Sequence, residues 1–195
     1  MLMIVKCFAV GWLSTNCYVV GCEETREAAV IDPGMDSEKE ADPILDYIKQ
    51  SGFHIKYIIN THGHPDHVAG NTLMKEATGA PILIHESNSE HVQADRKLRD
   101  EDVIQVGNIK LVVLHTPGHT KDGISLLGDN TVFTGDALFA GSVGRTDFAG
   151  GSYEELMRSI KNKLLSLPDS FKVYPGHGPS TTVGDEKRHN PFLQT

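Results

Sequence analysis

Residues 61–67 read THGHPDH and place three histidines and one aspartate within seven positions. The side chains of His62, His64, Asp66 and His67 offer imidazoles and a carboxylate, a ligand set that suits zinc, iron or manganese. A chance cluster of this density is far less expected than an isolated histidine, which more often serves as a hydrogen-bonded group. The stretch therefore predicts part of a metal site, and further ligands must come from elsewhere in the chain. We treat the scattered histidines as background: His54, His85, His91, His115 and His189.

The composition is that of an ordinary globular protein of 195 residues, with 39% hydrophobic and 23% charged residues. A formal net charge of −8 without a basic run argues against nucleic acid and anionic membranes as partners. The cysteines Cys7, Cys17 and Cys22 are irregularly spaced and odd in number, which predicts free thiols in a reducing compartment. The apolar start lacks the pattern of a signal peptide and is too short to span a bilayer. We therefore expect a cytoplasmic protein.

Short β-branched runs bounded by Gly, Pro, Asn or Asp predict nine strands. In chain order these runs are MIVKCFAV, CYVVG, AAVID, KYIIN, PILIH, KLVVLHT, GISLLG, TVFTGD and KVYPG. Consecutive strands followed by strands mixed with helices predict one layered α/β domain over residues 1–195.

Three helices are predicted between the strands. The first covers residues 37–51 and opens with a capping box of Ser37 and Glu40. The second begins at Pro65 and continues to about residue 77. The third opens at Ser152 and places apolar residues four apart on one face.

The ends of the predicted strands supply more candidate ligands. YIIN leads into His62, LVVLHTPG into His119, TVFTG into Asp136 and VYPG into His177. Taken alone, Asp136 would be interpreted as a turn residue. Four strand ends that carry ligands of one chemical kind are harder to attribute to chance, because a rigid sheet commonly positions catalytic side chains on the loops at its edge.

The motifs THGHPDH, TPGHT, TGD and YPGHG, in this order, resemble those of the metallo-β-lactamase-fold hydrolases. The resemblance extends from NCYVV and VIDPG near the start to PGHGPSTTVGDEKRHNPFL at the end, which is nearly the whole chain. It implies a four-layer αββα sandwich of the α/β class, in which helices flank two central sheets and metal ions lie at one edge between them.

The resemblance also implies two divalent metal ions per chain, zinc first and iron or manganese as alternatives. One ion would be held by His62, His64 and His119, and the other by Asp66, His67 and His177. Asp136 would bridge the two ions together with a hydroxide. Asp66 and Asp136 would then be the catalytic carboxylates that orient this hydroxide, and their negative charges would offset the repulsion between the cations.

Within this superfamily the chain looks most like the short relatives of glyoxalase II, the hydroxyacylglutathione hydrolases. The segment GDALFAGSVGRTDFAGGS places Arg145 where that family has a basic residue beside the glutathione part of the substrate. Two departures are Thr146 and Asp147, where the glutathione enzymes tend to have aromatic residues, and the lack of a helical C-terminal domain. We therefore expect a monomer or homodimer that hydrolyses a small-molecule thioester, either S-(2-hydroxyacyl)glutathione or a related compound.

An alternative is a persulfide dioxygenase of the same superfamily, which also carries GRTDF. Such an enzyme would bind one iron through His62, His119 and Asp136, although TPGHTKDGISL looks more like the hydrolases. A secreted β-lactamase lacks support from a signal peptide, an RNA-processing nuclease would need a basic surface, and a structural zinc site would use cysteines near the motifs. Asp32 in VIDPG is either a turn residue or a group that orients a ligand histidine.

Overall fold

The computed structural model describes residues 3–88 and 92–194, and most of their strands form two six-stranded sheets. The first sheet has the strand order β1-β2-β3-β4-β5-β6. Strands β1 to β3 pair antiparallel, and β3 to β6 pair parallel. The bounds are β1 Met3–Val10, β2 Thr15–Cys22, β3 Glu27–Ile31, β4 His54–Ile59, β5 Ile82–His85 and β6 Arg96–Leu98.

The second sheet contains β7 Val103–Val106, β8 Ile109–His115, β9 Ile124–Gly128, β10 Thr131–Gly135, β13 Lys172–Pro175 and β14 Thr181–Thr182. Its order is β14-β13-β10-β9-β8-β7, and β11 Leu138–Phe139 forms a separate hairpin with β12 Ser142–Val143. Strands β8 and β10 are both antiparallel to β9, and β13 is parallel to β10. Strands β8, β10 and β13 therefore run in one direction, and their carboxyl ends meet at one edge of the sheet.

Alternating side chains along each strand separate the core into layers. In β3, Ala29 and Ile31 pack between the two sheets, whereas Ala28 and Val30 pack on the outer side. The outer face of the first sheet is covered by α1 Glu38–Ser51 and α3 Asn71–Thr78. The second sheet is covered by α4 Tyr153–Ser159, its π-helical continuation Ile160–Leu164 and α5 Val183–His189. This arrangement confirms the predicted αββα sandwich.

The predicted capping box at the start of α1 is wrong. The helix does begin after Ser37, but the Ser37 hydroxyl caps no backbone amide of the described residues. The Glu40 carboxylate instead accepts hydrogen bonds from the backbone amides of Gly11 at 3.2 Å and Asp36 at 3.0 Å. Glu40 thus joins the helix to the turn between β1 and β2, a tertiary contact that sequence spacing does not reveal.

The helix predicted from Pro65 to residue 77 is interrupted. It consists of α2 Pro65–Val68 and α3 Asn71–Thr78. Between them the backbone amide of Gly70 donates to the carbonyl of Pro33 at 2.7 Å, and a Cβ at Gly70 would collide with that carbonyl. The close approach of the loop after β3 breaks the helix. The predicted start of the third helix is confirmed, since the Ser152 hydroxyl accepts from the amide of Glu155.

All three cysteines are free, with Cys17 and Cys22 buried and Cys7 exposed. Among residues 3–88 and 92–194, none of the helices has the length and apolar character needed to cross a bilayer.

Tyr18 links the interior between the sheets to the end of β13. Its hydroxyl donates to the carbonyl of Pro175 at 2.6 Å, and its ring packs edge-on against Phe133 and Tyr174.

Tyr18→Phe keeps the ring contacts and removes one buried donor, so we expect the free energy of unfolding to fall by about 0.5–1.5 kcal/mol. Denaturant unfolding measures this loss. The control is Tyr57→Phe, because the Tyr57 hydroxyl makes no hydrogen bond within the described part of the chain; an equal loss in both variants would contradict the assignment.

Candidate metal centre

The ends of four strands bring the predicted metal ligands together. His62 and His64 follow β4, His119 follows β8, Asp136 follows β10 and His177 follows β13. Strand β4 belongs to the first sheet and the other three to the second, so the site lies at one edge between the sheets. All seven predicted residues fall into groups whose ligand atoms lie within 4.8 Å of one another: His62, His64, Asp66, His67, His119, Asp136 and His177.

The first group consists of three imidazoles. The Nδ1 atom of His64 lies 3.0 Å from Nε2 of His62 and 2.9 Å from Nε2 of His119. Three ring nitrogens directed at one point form a face that can bind a divalent cation.

The second group combines one carboxylate with two imidazoles. The Oδ2 atom of Asp66 lies 3.4 Å from Nε2 of His67 and 3.3 Å from Nε2 of His177. The Thr15 hydroxyl donates to the same Asp66 oxygen at 3.0 Å and fixes its orientation.

Asp136 lies between the two groups. Its Oδ1 is 3.4 Å from Nε2 of His67, and its Oδ2 is 3.5 Å from Nε2 of His177 and 3.6 Å from Nε2 of His119. One carboxylate therefore reaches ligands of both groups, which is the position that a bridging role requires.

Two buried atoms of this cluster indicate that the residues fit a metal. Nε2 of His67 and Oδ1 of Asp136 are buried and have no hydrogen-bond partner among the described residues. A buried polar atom without a partner costs free energy, and native proteins rarely tolerate one without a reason. Because His67 and Asp136, together with His62, form a further set whose ligand atoms lie within 4.8 Å of one another, a cation between the two buried atoms would satisfy both.

Asp32 orients two of the histidines and so takes the second of the two roles considered for it. Its carboxylate accepts hydrogen bonds from Nδ1 of His67 at 2.9 Å, and from the Thr61 amide and hydroxyl at 2.7 Å each. The Thr61 hydroxyl in turn lies 3.1 Å from Nδ1 of His62. Protons held on Nδ1 leave Nε2 of both rings free to coordinate. Asp32 adopts a left-handed φ of 51°, which is strained for a residue with a side chain.

Thr61 was missed as a positioning residue by sequence reasoning. The available signal was its place directly before His62, but its partner Asp32 lies 29 residues earlier. Asn16 was missed as well. Its side chain donates to the carbonyls of Pro175 at 3.0 Å and Gly178 at 2.8 Å, so it fixes the loop that carries His177.

Glycine and backbone contacts complete the floor of the site. Nδ1 of His119 donates to the carbonyl of Arg145 at 2.7 Å, which directs its Nε2 into the cluster. A Cβ at Gly176 would collide with Oδ1 of Asp136 and with the His67 ring. Glycine at this position therefore allows the β13 loop to approach the ligands.

The carboxylates and imidazoles of the cluster shift one another's pKa values. Burial opposes ionisation of Asp136, but the neighbouring His67 and His177 outweigh it and hold the pKa of Asp136 well below its usual value. Hydrogen bonds to Asp136 and Asp66 raise the pKa of His177 to about 9. Burial lowers the pKa of His62 well below its usual value, which keeps that ring neutral and able to coordinate.

Arg145 lies at the mouth of a cavity of about 620 Å³ that opens over the cluster. Its guanidinium forms a double hydrogen bond with Asp147, at 3.0 Å from Nε to Oδ1 and 2.7 Å from Nη2 to Oδ2. It also stacks over the Phe148 ring, 4.4 Å from the ring centroid. The structure thus places Arg145 beside the candidate site, but its charge faces an aspartate of the same loop.

The remaining described histidines lie outside these groups. His54 is exposed at the start of β4, and His189 ends α5. His85 and His115 stack on each other with ring centroids 4.0 Å apart. His91 lies outside the described residues.

The family model described as the metallo-beta-lactamase superfamily matches residues 10–177. The chain belongs to this superfamily. It is 34% identical to the hydroxyacylglutathione hydrolase GloC of Haemophilus influenzae, over 99% of both chains. Among solved structures, it resembles ETHE1 from Myxococcus xanthus with 36% identity and a TM-score of 0.89, over 97% of this chain and 84% of that one. The BLEG-1 B3 metallo-beta-lactamase is similar with 32% identity and a TM-score of 0.89, over 98% and 100%.

These comparisons agree on the fold and on a metal-dependent hydrolase superfamily. The three relatives carry different names at nearly equal similarity. The particular reaction must therefore be argued from the residues of the site.

Asp32→Asn tests the orienting role of this carboxylate. An amide provides one acceptor oxygen where the carboxylate accepts three hydrogen bonds, so the His67 and His62 rings lose their fixed orientation. We expect zinc affinity to fall about 10- to 100-fold, as measured by competition with a chelator. The control is Asp36→Asn, an exposed aspartate of the same loop. An unchanged affinity in Asp32→Asn would show that the rings are held by other contacts.

Proposed function

We propose that the chain is a thioester hydrolase that works with two divalent metal ions and acts on an S-acylglutathione or a related thioester. The observation that carries the proposal is the position of Asp136 between two groups of candidate ligands. The similarity to GloC over 99% of both chains supports the same assignment.

When bound, two divalent cations polarise a carbonyl and lower the pKa of a water, so that a hydroxide is available near neutral pH. The residues of the chain prepare this chemistry. Asp66 and Asp136 contribute the negative charge that two neighbouring cations require. Asp32, with Thr61, holds His62 and His67 in the tautomer that coordinates.

The ionisation of the cluster favours thioesters as substrates. Hydrogen bonds and nearby histidines outweigh burial and keep the pKa values of Asp66 and Asp136 below their usual values, so neither carboxylate is a proton donor at neutral pH. In hydrolysis, water adds to the carbonyl carbon, the carbon–sulfur bond breaks, and an acid and a thiol result. A thiol has a pKa of about 8.5, so the sulfur can leave as an anion without a general acid, whereas an amide nitrogen needs a proton.

Zinc is our first choice for the metal, because neutral imidazoles and carboxylates form the whole candidate ligand set. Iron and manganese accept the same ligands and remain the alternatives.

A mononuclear iron persulfide dioxygenase is the second candidate. The observation in its favour is that His62, His119 and Asp136 form a two-histidine, one-carboxylate set, which is typical of non-haem iron oxygenases. The segment GRTDF, which contains Arg145, also resembles that of such enzymes. This reaction would leave Asp66, His67 and His177 without a role, although their ligand atoms lie within 4.8 Å of one another.

Metal stoichiometry tests the proposed arrangement. We expect about two metal ions per chain in protein purified without chelator. Asp136→Ala should deplete both ions because this carboxylate reaches both groups, whereas His177→Ala should deplete mainly one. Elemental analysis measures these values, with His54→Ala as the control for an exposed histidine. Retention of two ions in the Asp136→Ala and His177→Ala variants alike would rule out the bridging role.

Turnover distinguishes the two candidate activities. We expect the protein to hydrolyse members of a thioester panel that includes S-lactoylglutathione, with loss of activity on chelation and recovery with zinc. The Asp136→Ala variant should lose at least about 100-fold in kcat, since it removes charge at the reacting centre. Loss of thioester absorbance follows the reaction. Oxygen consumption with glutathione persulfide, together with one iron per chain and no thioester hydrolysis, would instead establish the dioxygenase.

A further inference from the structure

We propose that the mouth of the site selects thioesters whose substituents are apolar and uncharged, with an aliphatic or aromatic acyl group. The inference rests on the proposed thioester hydrolysis and names the substrate class for it. Two features of the mouth carry it: an apolar rim, and an arginine whose charge is already paired.

The apolar rim surrounds the cavity of about 620 Å³ over the cluster. Six large hydrophobic side chains are exposed among the described residues, and Trp12, Leu13 and Phe148 of these six line this one cavity. Phe139, which is half-buried, lines it as well. Exposed apolar groups concentrated around a cavity indicate a ligand surface, whereas scattered ones need no explanation.

The aromatic residues lie on both sides of the cluster. The Phe148 ring is 5.5 Å from the His64 ring and 6.1 Å from the His119 ring, beside the first ligand group. The Phe139 ring is 6.2 Å from the His177 ring, beside the second. A carbonyl placed over the cluster would therefore direct both of its substituents along apolar walls.

Trp12 belongs to a turn that is fixed to the rest of the fold. The Gly11 amide donates to Glu40 of α1, and the Ser14 amide donates to the Gly11 carbonyl at 3.1 Å. The Trp12 side chain nonetheless remains 74% exposed, and Leu13 next to it 46%. A well-held turn that presents an indole to solvent at a cavity mouth is positioned to bury it against a ligand.

The charge at the mouth does not favour an anionic carrier. Arg145 is the one lysine or arginine among the described residues that line the cavity. Asp147 takes the Nε–Nη2 edge of its guanidinium, and Phe148 covers one face of the guanidinium plane. A carboxylate of glutathione would find only the Nη1–Nη2 edge of Arg145, where the neighbouring negative charge of Asp147 offsets the attraction. The rim thus attracts apolar groups, while Asp147 reduces the attraction for anionic ones.

Binding of inert analogues tests the proposal without catalysis. Trp12 is the only tryptophan of the chain, so its fluorescence reports on the mouth directly. The probes are the S-methyl and S-hexyl thioethers of N-acetylcysteamine, which cannot be hydrolysed, titrated into the metal-loaded protein. Five methylenes separate the two, and burial of half their surface predicts binding of the hexyl compound about 30-fold tighter, with a blue shift of the emission.

Variants locate this preference. Leu13→Ala keeps Trp12 as the fluorescent reporter. It should reduce the ratio of S-hexyl to S-methyl affinity at least about threefold, because it removes contacts that bury one or more methylenes of the hexyl chain. The matched control is Phe192→Ala, an exposed apolar side chain that does not line the cavity. Equal affinities for both thioethers, or an unchanged ratio in Leu13→Ala, would overturn the proposal. A shift of the Trp12 emission when the ligand-free protein is diluted would show that the apolar rim mediates self-association, and would overturn the proposal as well.

A third probe, S-hexylglutathione, tests the role of Asp147. In Asp147→Ala its affinity relative to the neutral S-hexyl thioether should rise up to about fivefold, as expected for an exposed ion pair. The gain should vanish in the double variant with Arg145→Ala. A tighter binding of S-hexylglutathione than of the neutral compound in the unmodified protein, with no effect of Asp147→Ala, would overturn the proposal.

Hydrolysis separates this inference from the function on which it rests. On N-acetylcysteamine thioesters, kcat/KM should rise from acetyl to hexanoyl in parallel with the thioether affinities. Hydrolysis without dependence on chain length would overturn the selectivity and keep the proposed function. Selective thioether binding without hydrolysis of any thioester would support the apolar selectivity of the mouth and overturn the thioesterase.

Discussion

The arrangement of the site depends on the buried carboxylate of Asp32. It lies directly after β3, is 2% exposed, and accepts three hydrogen bonds from Thr61 and His67. Burial of a carboxylate is costly, and these charge-assisted bonds offset the cost. Through them Asp32 joins β3 to the loop after β4 and sets the tautomers of the His67 and His62 rings. The left-handed backbone at Asp32 is the strain that this geometry requires.

The same cluster explains why metal and protons must compete. Burial opposes a charge on His67, but Asp32 and Asp136 outweigh it and raise the pKa of this ring well above its usual value. His177 is likewise held in its charged form, with a pKa raised to about 9. In the metal-free protein these imidazolium groups balance the carboxylates. A bound cation would replace them in that role, so metal loading would release protons and the affinity for the metal would depend on pH.

Most strands and the candidate ligand residues could be predicted from the sequence because they are encoded locally, whereas the αββα arrangement and the assignment of the ligands to two ions were implied by the family resemblance. Short apolar runs predicted nine of the strands, and four of these runs lead into a histidine or an aspartate of the candidate site. What could not be predicted depends on contacts between distant residues. The break at Gly70 follows from the approach of Pro33, the capping box was lost because Glu40 binds the amide of Gly11, and the link from Asp32 to Thr61 spans 29 residues.

The candidate metal ligands and the residues around the cavity mouth lie on different parts of the fold, which suggests how one scaffold supports several reactions. The ligands sit on strand ends that both packed sheets hold rigidly, so their geometry changes little without loss of the fold. The residues around the mouth lie outside the two packed sheets, with Trp12 in a turn, Phe148 in a bend and Phe139 in the β11–β12 hairpin. Relatives named GloC and ETHE1 are 34% and 36% identical to this chain, so overall similarity does not select between activities. In the proposed enzyme, the number of metal ions bound by the ligand groups would set which chemistry is available, and the residues around the mouth would set which molecules reach it.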